Sequence, residues 1–153
     1  MTALKWAGVI LLLPFLILIA LLFSLWHIGR AITLHALLLA FWSPRDRHVL
    51  FVYSNSPNWK DNCEREILPR LPHTAVILNW SERKTWPRHA LATRLFHAYA
   101  GAEQFNPIGI VFRPFKPILV FRFWQPFRDA RHGKPHELER LKATFLEVGR
   151  RQG

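Results

Sequence analysis

Two predicted loops contain most of the polar side chains that could bind a ligand. Residues 54–59 read Ser-Asn-Ser-Pro-Asn-Trp, and residues 79–86 read Asn-Trp-Ser-Glu-Arg-Lys-Thr-Trp. Amides, hydroxyls and flat rings together suit a polar, sugar-like or phosphate-bearing ligand, and Arg83 could pair with its anionic group. With one residue from a third segment, the candidate ligand-binding residues are Asn55, Ser56, Asn58, Asn79, Ser81, Arg83 and Asn106. In the alternative interpretation the Ser and Asn side chains cap helices, their commonest role, while the Trp rings close the core.

The residues that could catalyse a reaction do not form a recognisable template. The sequence contains neither a Gly-x-Ser-x-Gly elbow nor a Walker loop. Cys63 lies on the core face of a predicted short helix, so we expect an inert thiol. Asp61 and Arg65 lie on the outer face, where their spacing predicts a solvated i,i+4 ion pair. Because the eight histidines are scattered, we predict no metal site, and we also predict no catalytic residue and no cofactor.

Hydrophobic patterning after residue 47 predicts strands that alternate with helices. The predicted strands are 48–53, 74–78, 108–112 and 118–124, the helices are 59–68, 88–99 and 135–148, and 125–134 is irregular. The order β-α-β-α-β-β-α predicts an α/β domain in which the first two strands are parallel and buried. A short turn at 113–117 predicts an antiparallel hairpin for the last two strands. The two polar loops then follow the carboxyl ends of parallel strands, where ligands bind in such sheets.

This order of elements resembles the thioredoxin-like fold over residues 48–148, with Asn106-Pro107 directly before the third strand. In that family the proline is cis and lies beside the active-site loop, which implies that Asn106-Pro107 joins the two polar loops. The redox members have Cys-x-x-Cys after the first strand, whereas this chain has Ser54-Asn55-Ser56-Pro57 there. Dithiol exchange needs two thiols, so we exclude an oxidoreductase of that type.

Residues 1–42 are predicted to form a membrane anchor. From Trp6 to Trp26 only one Gly, one Pro and one Ser interrupt an uncharged apolar run. A helix of this length is about 30 Å long and matches the hydrocarbon core of a bilayer. The run is too long for a cleaved secretory signal, and bulky residues at 23–27 occupy the positions where a cleavage site needs small ones. We therefore predict an uncleaved signal-anchor with a transmembrane helix at about 6–26.

A second apolar stretch, at about 31–42, is too short to cross a bilayer alone. It could continue the first helix, lie in the membrane interface, or form half of a helical hairpin. We favour the interfacial helix, because Trp26 and Trp42 would then both lie at headgroup depth. Residues 43–47 follow as a polar linker, and residues 48–153 form the α/β domain.

Charge predicts the side of the membrane and the partners. Lys5 precedes the span, whereas Arg30, Arg45 and Arg47 follow it closely, which predicts a single-pass protein with its domain in the cytoplasm. A single cysteine, Cys63, agrees with a reducing compartment. The chain has 21 Lys and Arg against 10 Asp and Glu. A basic domain beside a membrane is attracted to anionic headgroups, and the same charge permits binding to nucleic acid.

The leading functional hypothesis is a membrane-anchored α/β interaction or accessory module without catalytic activity. The alternative is an enzyme that acts on a polar or lipid-linked substrate at the membrane surface, and the third is a nucleic-acid-binding protein. Aromatic and basic residues interleave over 112–128, but the string typical of RNA-binding sheets is absent, so nucleic acid is disfavoured. The predicted partners are the bilayer, its anionic headgroups and a protein.

Overall fold

The first part of the chain is one long helix, α1, from Thr2 to Phe41. The computed structural model describes the backbone of residues 2–152 and the side chains of residues 12–152, so the side chains at the start of the predicted span lie outside the described residues. Every side chain from Leu12 to Thr33 is exposed, including large apolar ones. This helix is long and apolar enough to cross a membrane.

The continuity of α1 corrects the prediction of a separate interfacial helix at 31–42. The helix continues without a break through Gly29 and Arg30, and a continuous helix contains no turn that could form a hairpin. A single glycine costs a helix only about 1 kcal/mol, so the change of composition does not end it. The helix ends at Phe41, before the 3₁₀ turn Ser43–Arg45, which contains Pro44.

The chain divides into two compact units between Ala36 and Leu37. The second unit therefore begins inside α1, before the predicted linker and domain. Leu38 is fully buried and Trp42 is 4% exposed, so both residues belong to the interior of this unit.

A four-stranded sheet forms the centre of the second unit. Its strands are β1 (Val49–Tyr53), β2 (Val76–Asn79), β3 (Ile108–Val111) and β4 (Leu119–Arg122). They lie in the order β2-β1-β3-β4, with β1 parallel to β2 and antiparallel to β3, and with β3 antiparallel to β4. The predicted mixture of helices with a four-stranded sheet, the parallel first pair and the antiparallel hairpin are confirmed. The Asn106–Pro107 peptide bond is cis.

The second strand is less buried than its apolar sequence predicts. Strand β2 lies at the edge of the sheet, and Ile77 is 44% exposed. The prediction of a buried strand is wrong here, because a short apolar run does not show whether a strand has one neighbour or two.

Helices cover both faces of the sheet. One face packs on α2 and on α5 (His136–Arg150). Helix α2 begins as Lys60–Asn62, continues as the π-helical turn Cys63–Ile67 and ends as the 3₁₀ turn Leu68–Arg70. A Cβ atom at Gly109 of β3 would lie 2.5 Å from the ring of Phe145 in α5, so glycine permits this close packing. The other face is covered by α3 (Leu91–Tyr99), which contacts β1 and has Phe96 fully buried.

The segment predicted to be irregular contains a helix, α4 (Trp124–Arg131). Pro126 lies in its first turn, where the missing N–H has no partner within the helix anyway, so the proline does not prevent helix formation. The helix buries Phe127 in the core, and its α-helical conformation corrects the prediction of irregular structure over 125–134.

Candidate functional site

The register of the sheet brings the two polar loops together at the end of the sheet where β1 and β2 terminate. We call this end the carboxyl-end edge. Tyr53 pairs with Asn79, so the residues that follow these strands are neighbours. The side chain of Asn79 donates from Nδ2 to Oδ1 of Asn55 at 2.8 Å. The backbone N–H of Asn55 donates to Oγ of Ser81 at 3.0 Å. The structure therefore assembles three of the predicted ligand-binding residues into one group, which we call the amide cluster (Asn55, Asn79 and Ser81).

The groups of the amide cluster largely bond to one another. Oδ1 of Asn79 accepts a hydrogen bond from the backbone N–H of Ser81 at 3.0 Å and caps the 3₁₀ helix Trp80–Thr85. Both ends of the Asn79 amide therefore have protein partners, and Nδ2 also lies 3.5 Å from Oε1 of Glu82. Capping is the alternative role that the sequence allowed for this residue.

Three further predicted residues lie outside this cluster. Oγ of Ser56 accepts from the N–H of Asn58 at 3.4 Å, and Oδ1 of Asn58 accepts from Arg131 of α4 at 2.7 Å. The Arg83 guanidinium lies over the Trp80 ring at 4.6 Å and donates to the Trp80 carbonyl oxygen at 3.4 Å. Each of these polar groups therefore already has a protein partner.

The aromatic rings of the loops are half-buried and pack against other aromatic side chains. Trp59 donates from Nε1 to Oγ of Ser54 at 3.1 Å and packs against Phe127. The Trp80 ring packs against Phe96 and Trp86. These rings therefore cover part of the core beside the polar loops.

Asn106 differs from the other predicted residues because one of its polar atoms has no partner. The pairing of Val52 with Ile108 places Asn106 and Pro107 beside the end of β1, at the carboxyl-end edge. Asn106 is 8% exposed, and its buried Oδ1 accepts no hydrogen bond from the protein. A buried carbonyl oxygen without a partner costs stability, and Oδ1 of Asn106 is the buried unpartnered atom among the predicted ligand-binding side chains.

Several segments that contain basic residues lie at the opposite, amino-end edge of the sheet, where β1 begins. Val49 pairs with Val111, which pairs with Leu119, so the β3–β4 turn lies at this edge. Gly149 of α5 also approaches Val49, since a Cβ atom there would lie 3.3 Å from its methyl group. We call this surface the basic edge, and its cationic residues are Arg45, Arg47, Arg113, Lys116, Arg150 and Arg151. At the tip of the turn, Phe115 is 88% exposed.

A pocket of about 520 Å³ opens at the basic edge. Among the residues that line it are Phe41, Trp42, Arg45, Arg47, Leu91 and Arg94. Arg45 donates to the carbonyl oxygen of Phe41 at 2.8 Å and thereby caps the last turn of α1. Sequence reasoning missed this pocket, because α3 and the residues after α1 are far apart along the chain.

The single cysteine is buried and unreactive. Cys63 is fully buried, as its position on the core face of α2 predicts. Burial and the neighbouring Glu64 raise the pKa of the Cys63 thiol to about 12. A thiol that stays protonated at neutral pH is a poor nucleophile.

Charged side chains on α2 and α5 pair differently from the prediction. Arg65 donates to the backbone carbonyl oxygen of Asp61 at 3.2 Å rather than to its carboxylate, so the predicted ion pair is wrong. Instead, Lys142 of α5 is 4% exposed and pairs with Glu66 and, at 2.6 Å, with Glu139. Helical periodicity could predict the apolar face of α5 but not a lysine buried against a carboxylate of another helix.

Comparison of the chain with protein-family models, with curated proteins and with solved structures finds no match. Among the described side chains, those of residues 12–152, no group of three or more His, Cys, Asp or Glu residues is arranged to hold a metal ion. A function for this chain is therefore inferred from its own geometry.

Proposed function

We propose that this protein is a membrane-anchored interaction or accessory module. Helix α1 anchors it in the bilayer, and the basic edge of its α/β domain faces the anionic headgroups. The gathering of cations from separate segments at the edge where the chain arrives from α1 carries this proposal. Basic residues close to an anionic surface are each attracted by about 1 kcal/mol, and salt screens this attraction.

The proposed fold of the domain is thioredoxin-like. The strand order β2-β1-β3-β4 and its pattern of one parallel and two antiparallel pairs support this assignment. With Cys63 as the only cysteine and fully buried, such a domain would bind rather than exchange disulfides. The family resemblance thus supports a non-redox member that keeps the scaffold.

The proposed location of the domain is the cytoplasm. Lys5 precedes the apolar run, whereas Arg30, Arg45 and Arg47 follow it. Positive residues are retained on the cytoplasmic side of membrane spans, which supports this orientation. Anionic lipids are also concentrated in the cytoplasmic leaflet, so the orientation and the basic edge agree.

Labels at the two edges of the sheet test the proposal in the full chain. Lys116→Cys introduces a thiol in the β3–β4 turn, and Lys84→Cys introduces one in the 3₁₀ helix after β2, with the same loss of charge. Native Cys63 is buried and has a raised pKa, so a spin label reacts with the introduced thiol. The measurement uses nanodiscs that contain an anionic phospholipid. We expect the spin relaxation of the label at 116 to be enhanced by lipid-soluble oxygen, and that of the label at 84 to be enhanced by a water-soluble nickel chelate.

Three results would contradict the proposal. The first is a label at 84 that lies closer to lipid than the label at 116. The second is a label at 116 that lies equally close to lipid in phosphatidylcholine nanodiscs and whose closeness does not change with salt. The basic edge would then not recognise anionic headgroups. The third concerns orientation: in intact cells, a membrane-impermeant maleimide should label Lys116→Cys only after permeabilisation, and labelling without it places the domain outside.

One observation favours the alternative of an enzyme that acts on a polar or lipid-linked substrate. The buried, unpartnered Oδ1 of Asn106 lies at the carboxyl-end edge, beside the amide cluster. A substrate hydroxyl or amide N–H could donate to it. Affinity purification from native membranes separates the two functions, because a module should retain a protein partner and an enzyme a polar or lipid-linked compound.

A further inference from the structure

The pocket at the basic edge contains two arginines without an acceptor among the described side chains. The side chains of Arg47 and Arg94 form no hydrogen bond or ion pair with any residue whose side chain is described. Asp46 lies between Arg45 and Arg47 in sequence but does not line the pocket. Two guanidinium groups that line the same pocket repel each other in the absence of an anion, and their planar N–H groups match phosphate oxygens.

The same pocket has an apolar wall. Phe41, the last residue of α1, is 52% exposed, and Leu91 at the start of α3 also lines the cavity. A volume of about 520 Å³ lies within the range of small-molecule sites and exceeds what a bare phosphate ion would fill. A ligand that uses both walls therefore carries an anionic group and an apolar chain.

We propose that this pocket binds the phosphate group of an anionic phospholipid. Arg47 and Arg94 bind the phosphate oxygens, and Phe41 and Leu91 pack along the first part of the acyl chain. This inference deepens the proposed function and rests on it, because a chain anchored in a bilayer has such lipids at hand. The site would convert general attraction to the headgroups into recognition of one lipid class.

Calorimetric titration of the full chain in phosphatidylcholine nanodiscs tests the site. The probes are short-chain phosphatidic acid, short-chain phosphatidylcholine and inorganic phosphate. We expect phosphatidic acid to bind at least about tenfold more tightly than either of the other probes, because it alone offers an unshielded phosphate on an apolar chain. Phe41→Ala should weaken the binding of phosphatidic acid and leave that of inorganic phosphate unchanged.

Two double variants separate the pocket from diffuse charge. Arg47→Gln with Arg94→Gln should weaken the binding of phosphatidic acid by about tenfold. Arg70→Gln with Lys134→Gln removes the same charge from exposed residues outside both the pocket and the basic edge, and should change the affinity by less than about twofold. Thermal unfolding of both variants checks that the fold is retained. We expect little change in the midpoint, because all four side chains are exposed.

Each contrary result has a distinct meaning. Equal weakening by the two double variants would overturn the pocket and leave the basic edge as a diffuse surface. Binding of inorganic phosphate as tight as that of phosphatidic acid, with Phe41→Ala affecting neither, would overturn the assignment to a lipid. If phosphatidic acid binds no better than phosphatidylcholine, the pocket is overturned, and the spin-label measurement then decides separately whether the proposed function stands.

Discussion

Asn79 has two structural roles at the end of β2. Its Oδ1 caps the 3₁₀ helix, and its Nδ2 joins the loop after β2 to Asn55 in the loop after β1. The sequence could predict both the capping and the proximity of the loops, because each follows from residue type and strand order. It could not predict that the amides would bond to one another, since that depends on side-chain geometry across two loops.

Replacement of Asn79 by alanine should therefore destabilise the protein. We expect a loss of about 1 kcal/mol for a cap and its hydrogen bonds, and a fall in the thermal midpoint of about 4 °C. Arg83→Ala is the matched control, because this exposed side chain should change stability by less than about 0.5 kcal/mol. Circular dichroism of the full chain in detergent measures both. An unchanged midpoint for Asn79→Ala would remove the structural explanation and favour ligand binding by the amide cluster.

Local pattern predicted most elements of the domain and failed in two informative places. The apolar runs of β1 and β3 and the period of α5 are confirmed, because each buries a face that its own sequence specifies. Helix α4 was missed because Pro126 resembles a helix breaker unless the start of the helix is known. The edge position of β2 depends on which strands pair, and no local pattern encodes that.

The ion pair between Glu66 of α2 and Lys142 of α5 should make stability depend on pH in acid. The hydrogen bond from Lys142 lowers the pKa of Glu66, and partial burial opposes this less strongly. Because the pKa of Glu66 is lower in the folded state, the ion pair stabilises the protein fully at pH values above the ordinary carboxyl pKa of 4.5. This contribution is lost as the pH falls through the lower pKa of the folded state.

Urea denaturation between about pH 6 and pH 3 measures this contribution. The free energy of unfolding should fall less steeply with acid in Glu66→Gln than in the parent chain. Glu139 remains to pair with Lys142 in that variant, so no buried charge is left alone. Glu137→Gln, which removes an exposed partner of Arg140, should follow the parent curve. If the two variants behave alike, the buried lysine does not link α2 to α5 energetically.

At the scale of the molecule, the two edges of the sheet differ in chemistry. The carboxyl-end edge contains the amide cluster, which strand order predicted. The basic edge combines the end of α1, the β3–β4 turn and the end of α5, and only the register of the strands shows that these segments meet. The sequence revealed the excess of positive charge but not which of the basic segments lie at the same end of the sheet.

The last turn of α1 belongs to the domain, which makes the boundary between anchor and domain testable. Leu38 is fully buried and Trp42 nearly so, although both lie in the stretch that sequence assigned to the anchor. Removal of a buried leucine typically costs about 2–5 kcal/mol, a large part of the stability of a small domain. A domain that begins at Leu37 should therefore unfold cooperatively, whereas one that begins at Pro44 should have a much lower midpoint or be unfolded. Leu38→Ala in the longer domain should reproduce most of that loss, while Ala40→Ser, a change at an exposed position two residues away, should not. Equal midpoints for the two domains would show that α1 ends its structural role before Leu37.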